Sequence, residues 1–174
     1  MELTPAMERY VLHWGEMGTR WGVNRSVAQI HALLYLSPAP MQAETIAETL
    51  GIARSNVSTS LKELQSWDLI SRVHVMGDRR DHFSAVTDTW ETLTLIVEGR
   101  KRREIDPTLT MLRDVVLEAR ADGRTPGEVR ARLEDMLGFM ETLADWYQQV
   151  RKLPRKTLIS LVKMGAKVSR MVAR

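Results

Sequence analysis

Residues 43–67 read AETIAETLGIARSNVSTSLKELQSW. Ala43, Ile46, Ala47 and Leu50 recur at helical spacing and stop at Gly51, which predicts a short helix closed by a glycine. A longer helix is expected from about Ala53 to Trp67. In it Val57, Leu61 and Leu64 fall on one face, at i, i+4 and i+7. Ser55, Ser58, Thr59 and Lys62 take the opposite face. A short helix, a tight turn and a longer crossing helix have the layout of a helix-turn-helix. Short hydroxyl side chains let a helix backbone come close to base edges and phosphates. Arg54 and Asn56 flank that stripe near the helix N-terminus, the end that favours phosphate oxygens. The alternative is a solvated surface helix. Such faces usually pair Glu with Lys at i, i+4, and this one carries no acid before Glu63.

Downstream, Ile70–Val75 and His82–Val86 are short β-branched segments joined through Gly77-Asp78, which predicts a hairpin. Gly77-Asp-Arg-Arg-Asp81 lies at its tip. Arg79 and Arg80 on an exposed turn suit a phosphate contact or a narrow minor groove. Asp78 and Asp81 could instead neutralise them and leave an ordinary charged loop. Directly after a helix-turn-helix, a wing is the better reading.

Upstream, Met7, Tyr10, Val11, Trp14, Met17 and Trp21 mark a helix over 6–20. Ser26 is a candidate cap for a helix carrying Val27, Ile30, His31 and Leu34, ended by Ser37-Pro-Ala-Pro40. The order helix, helix-turn-helix, wing and long helices resembles the MarR-type winged-helix transcriptional regulators. Gly18-Thr-Arg-Trp-Gly22, Arg25-Ser-Val-Ala-Gln-Ile30, Glu44-Thr-Ile-Ala47, Leu50-Gly51 and Arg54-Ser-Asn-Val-Ser-Thr59 resemble its GbsR-like subgroup. The likeness covers about residues 7–90 and is most specific in the helix-turn-helix. It implies double-stranded DNA as partner, homodimers through terminal helices and a small-molecule effector. The family's Asp-x-Arg wing motif falls on Asp78 and Arg80. This chain departs from the pattern at Ala53, where many relatives have a capping serine. A cap typically contributes ~1 kcal/mol.

After the hairpin, Asp88-Thr-Trp-Glu91 is a capping-box pattern for a helix to about Arg103, and Asp106-Pro107 starts or kinks another. Thr125-Pro-Gly-Glu128 is a second capping box. In the helix from Pro126 to Val150, Val129, Leu133, Met136, Met140, Leu143, Tyr147 and Val150 alternate at four and three residues, as in a coiled-coil seam. Leu137, Phe139, Ala144 and Trp146 widen the stripe, which favours intramolecular packing beside the seam. Tyr10, Trp14, Trp21 and Trp90 are candidates for an effector pocket between the wing domain and the dimer helices. Core packing is the simpler role for each of them. Beyond Pro154, Leu158, Leu161, Val162, Gly165, Val168 and Val172 oppose Lys156, Lys163, Lys167, Arg170 and Arg174, a basic amphipathic helix.

Composition narrows the classes. The 174 residues include no cysteine, which excludes a disulfide scaffold and thiolate zinc sites. The four histidines show no metal spacing, and no nucleophile elbow, phosphate loop or dinucleotide fingerprint is present. An enzyme, a cofactor and a bound metal are therefore not expected. No run approaches the ~20 apolar residues that cross a bilayer, and no secretory segment opens the chain. A cytoplasmic protein without a membrane partner is expected. The net charge of +3 hides an asymmetry. Residues 151–174 hold eight basic residues and no acid, and removing those eight from the 25 leaves 17 basic against 22 acidic over 1–150. DNA affinity must then come from local placement of charge.

The expectation is a mainly α fold with a small β-hairpin wing. It divides into an N-terminal helix (1–25), a winged helix-turn-helix (26–90), a helical dimerisation region (91–153) and a basic C-terminal helix (154–174). The expected function is a sequence-specific transcriptional regulator, a homodimeric repressor released by a small molecule. The rivals are a winged-helix protein-interaction module and a non-specific architectural DNA-binding protein.

Overall fold

The computed structural model describes residues 1–172, with side chains as far as Met164. It divides into two compact units, Met1–Arg100 and Lys101–Arg174. The first contains α1 (Pro5–Arg20), α2 (Arg25–Leu36), β1 (Met41–Gln42), α3 (Ala43–Leu50), α4 (Arg54–Ser66), β2 (Ile70–Val73), β3 (His82–Ala85) and α5 (Thr89–Arg100). The second holds a π-helical turn (Lys101–Ile105), α6 (Asp106–Ala121), α7 (Gly127–Val150) and α8 (Arg155–Val172).

The core of the first unit forms where the apolar faces of its helices meet. Ile30 and Leu33 of α2, Ile46 of α3 and Val57 of α4 are fully buried. Leu61, Leu64, Leu69, Ile70 and Phe83 extend this cluster to the sheet. A Val, Leu or Phe buried this way contributes roughly 1.5–3 kcal/mol. The spacing expected for α4 therefore translates directly into packing. Gly51 ends α3 in the left-handed region, at φ 64°, and the Ile52 amide returns to the Ala47 carbonyl at 3.1 Å. This reversal sends the chain into α4 at a sharp angle.

The sheet has three strands, in the order β1-β3-β2, all antiparallel. The hairpin β2-β3 was legible, whereas β1 was not. Two residues are too few to show alternation. They pair Met41 with Phe83 and Gln42 with His82, and so place the start of α3 beside the wing.

Several helix starts differ from expectation. Asn24, not Ser26, caps α2, its Oδ1 accepting from the Ser26 amide at 2.8 Å. Asp88 does cap α5, its Oδ1 accepting from the amides of Trp90 and Glu91, both at 2.9 Å. That helix stops at Arg100 rather than Arg103, because the hydrogen-bond ladder widens into the π-helical turn ahead of Pro107. The Thr125 capping box does not form. The Thr125 hydroxyl donates to Asp122 at 2.6 Å, and α7 begins without a side-chain cap. His31 is buried, as its place on an apolar face suggested. Contrary to the expected hydrogen-bonded state, its Nε2 has no partner among the described residues, and burial pushes its pKa down to about 4.

In the second unit α6 and α7 run as a hairpin clamped by Arg113 to Glu141 at 2.9 Å and Arg120 to Glu134 at 2.8 Å. Among the described residues no helix is long and apolar enough to cross a membrane.

Gly99 marks the tightest approach in the first unit. A methyl group there would overlap the Trp67 indole. Gly99→Ala is therefore expected to destabilise the fold by ~1–3 kcal/mol through overpacking. A urea melt of this variant against the parent reads the loss, and an unchanged midpoint would remove the contact.

Candidate nucleic-acid interface

α4 presents two unlike sides. Its inner positions, Val57, Leu61 and Leu64, are at most 3% exposed. Arg54, Ser55, Ser58, Thr59 and Lys62 are exposed, and no large apolar side chain joins them. The Thr59 hydroxyl is held by the Ser55 carbonyl at 3.1 Å, one turn back. Helix formation survives Ala53, which accepts no amide hydrogen bond, so α4 starts at Arg54 on the strength of its packing.

Two of the expected contact residues on α4 are engaged with neighbouring helices. Arg54 is ion-paired with Glu44 of α3. Asn56 turns its amide toward α2, donating to Ser26 Oγ at 2.8 Å, and accepts from the buried Ser60 hydroxyl at 3.4 Å. Asn56 thus braces α4 against α2. Ser55, Ser58, Thr59 and Lys62 compose the outward stripe.

The loop between β2 and β3 turns back at Val75–Asp78, where the Asp78 amide donates to the Val75 carbonyl at 3.1 Å and Gly77 takes φ 83°. Asp78 accepts from the Arg80 backbone amide at 3.0 Å, from Nε at 2.9 Å and from Nη2 at 2.6 Å. These bonds, the side-chain ones foremost, hold the Asp78 carboxyl far below the usual carboxylate range and raise Arg80 above its own. Arg79 is exposed and has no ionic partner among the described residues. Asp81 pairs with Arg72 of β2 at 3.3 Å. The two arginines therefore differ: Arg80 is held in place, and Arg79 keeps its full charge.

Wing and helix enclose a groove of about 610 Å³. Arg54, Ser58 and Lys62 line one wall, and Arg72, Arg79 and Arg80 the other. Gln42 is also in the lining. Neither Gln42 nor His82 was singled out by sequence reasoning. Their one sequence signal is a polar residue directly before a helix that it does not cap.

Residues 21–81 match the family model described as MarR family. The chain is 26% identical over 102 residues to the HTH-type transcriptional repressor GbsR of Bacillus subtilis (strain 168), covering 59% of this chain and 54% of that protein. It is 18% identical over 137 residues to the HTH-type transcriptional repressor OpcR of the same organism, covering 76% and 74%. A crystal structure described as a transcriptional regulator shares the fold, with a TM-score of 0.61 at 22% identity, covering 83% of this chain and 95% of the other.

The remaining candidates lie elsewhere. Tyr10 and Trp14 stack at 5.4 Å within α1. Trp21, at the end of α1, is 65% exposed, and Trp90, at the start of α5, is half-buried. Among the described residues the four do not form one ring cluster. On α7, Val129, Met136 and Leu143 are exposed, while Leu133, Met140, Tyr147 and Val150 are half-buried. Phe139 and Trp146, expected to pack within the subunit, are about 60% exposed. They lie on the side away from Glu134 and Glu141, which face α6. In α8, Leu158 is half-buried and Leu161 and Val162 are exposed. The side chains of Gly165, Lys167, Val168, Arg170, Val172 and Arg174 lie outside the described residues.

The difference between the arginines is measurable. Arg79→Ala is expected to reduce the salt slope of DNA binding by about one unit, as for a phosphate contact. Arg80→Ala is expected to weaken binding with a smaller change of slope, because Asp78 already offsets its charge. Titrations at several salt concentrations test this, and equal slope changes would place both arginines in one role.

Proposed function

We propose that this chain is a GbsR-like regulator that binds a specific DNA site as a homodimer, represses transcription there, and is released by a small molecule. The supporting observation is the groove, with a small hydroxyl-rich helix face on one side and three wing arginines on the other. Ser55, Ser58, Thr59 and Lys62 of α4 would enter the major groove. Arg79 and Arg80 would meet the backbone or the adjacent minor groove. Phosphate contacts fix register, and base-edge contacts select sequence.

The two-fold partner follows from α7. Val129, Met136, Phe139, Leu143 and Trp146 make a continuous exposed apolar stripe, larger than scattered surface residues would give. A second copy of the same stripe covers it, and the DNA site is then a pseudo-palindrome with half-sites about 10 bp apart. Exposed Trp14 and Trp21 support an effector that reaches aromatic surface.

Selection of bound fragments from the source genome tests the reading as a whole. One enriched palindromic site is expected, and uniform recovery would replace it with non-specific binding. Ser58→Ala or Thr59→Ala is expected to change the selected sites more than the non-specific affinity. Leu143→Glu is expected to convert dimer to monomer in light scattering, and a dimer that persists would move the interface off α7.

A further inference from the structure

The polar contacts at the base of the wing form a closed ring. His82 is buried in the central strand, opposite Gln42 of β1 on one side and Val73 of β2 on the other. Its Nδ1 lies 3.0 Å from the Arg80 carbonyl oxygen. Its Nε2 lies 3.0 Å from Gln42 Nε2. Gln42 Nε2 also donates to Asp78 Oδ2, at 2.9 Å. Asp78 in turn holds the Arg80 guanidinium.

Proton placement in this ring is determined. A carbonyl oxygen only accepts, so His82 Nδ1 carries hydrogen and donates to Arg80. The Gln42 amide nitrogen has two hydrogens. One goes to Asp78 and the other to His82 Nε2, which must offer a lone pair. The ring therefore requires a neutral imidazole in its Nδ1–H form. It starts at the Arg80 backbone and ends on the Arg80 side chain.

We propose that Gln42 and His82 are positioning residues for DNA recognition, closing with Asp78 a ring that fixes Arg80 and sets the wing against the helix-turn-helix. The inference rests on the DNA-binding reading above. Gln42 precedes α3 and could cap it, but its side chain makes no cap bond and reaches the wing instead. Through it, the start of the helix-turn-helix and the wing loop share one hydrogen-bond network. Gln42 and Arg80, two members of the network, line the groove, so the network ties the position of Arg80 to the start of α3.

The ring is also sensitive to protons. A hydrogen added at His82 Nε2 would face the Gln42 N–H, donor against donor. Asp78 Oδ2, 3.7 Å from Nε2, is the acceptor it would then seek, in competition with Gln42 and Arg80. The carboxylates Asp81 and Glu44 are already paired, with Arg72 and Arg54, and Arg79 of the same loop adds a positive charge without an ionic partner among the described residues. Helix α2, packed against β3, brings no carboxylate, and its His31 is kept neutral by burial. A proton at His82 Nε2 would therefore break the bond to Gln42 and open the ring.

The first test uses the free protein. Nitrogen-15 shifts of His82 at pH 8 should report the Nδ1–H tautomer, and Gln42→Ala should reduce amide order across residues 78–82 with helix content unchanged. An Nε2–H tautomer, or unchanged order, overturns the proposal even if the protein binds no specific DNA. The second test measures affinity for the selected site at pH 6 and pH 8, with exposed His74 replaced by Gln to remove its own charge. The parent should bind roughly fivefold weaker at pH 6, the scale of one lost hydrogen bond. Gln42→Glu should reverse the order, weak at pH 8 where two carboxylates oppose, and tighter at pH 6 where imidazolium sits between them. Identical pH profiles for parent and Gln42→Glu would reject the positioning role. Absence of any selected site would reject the DNA reading, and the tautomer and order measurements would still decide the ring.

Discussion

Burial of Val57, Leu61 and Leu64 under α4 is the constraint on which the interface depends. These side chains meet Ile30, Leu33 and Ile46 in one cluster, and together they fix the rotation of the helix about its axis. A helix turns 100° per residue, so a one-residue slip would carry Ser58 toward the core and bring Val57 toward solvent. Such a slip loses several kcal/mol of apolar burial. The outward direction of Ser55, Ser58, Thr59 and Lys62 is thus set by residues that never meet a ligand. The Asn56 bridge to Ser26 adds a directional bond to this apolar packing and ties α4 to α2.

The wing has a different anchoring problem. A two-stranded hairpin of four residues per strand is marginal by itself. Here its central strand is paired on both sides, because β1 occupies the edge that the hairpin would leave open. β1 leads without a break into α3, so each movement of the wing base is a movement at the start of the helix-turn-helix. Phe83 and Ile70 fasten the sheet to the core from below. The loop from residue 74 to 81 has no comparable apolar anchor, and polar bonds to Asp78 give it shape.

The legible parts of the molecule were those carried by repetition. The faces of α4, the glycine stop at Gly51 and the hairpin around Gly77 each follow from periodicity or from a residue whose backbone freedom the turn requires. Long-range partners were not legible. Nothing local indicates that Asn56 turns to Ser26, thirty residues earlier, or that Gln42 reaches Asp78, thirty-six residues later. The caps show the same division. Asp88 accepts from the amides of Trp90 and Glu91 in the helix that it starts, but Thr125 meets a better acceptor in Asp122, three residues before it, and the expected box is lost. On α7 the heptad pattern marked apolar positions without distinguishing the side facing α6 from the free one. The ion pairs at Glu134 and Glu141 make that distinction.

Acidic residues outnumber basic ones over residues 1–150, so long-range attraction cannot by itself bring this region to a polyanion. Affinity must come from a few cations held where phosphates will be. Arg80 is the clearest case, because Asp78 offsets part of its charge while removing the freedom of its side chain. A flexible arginine loses roughly 0.5–1.5 kcal/mol of rotamer entropy when it is immobilised on binding. An arginine already fixed by Asp78 loses less, at the expense of weaker Coulomb attraction. Arg79, without that partner, keeps the attraction and the entropy. On the proposed DNA-binding reading the pair would divide the work: Arg79 would draw the wing to the backbone, and Arg80 would define where it stops. That division would hold only while the wing base is rigid, so the proposed role of the polar ring in recognition does not require its buried histidine to touch DNA.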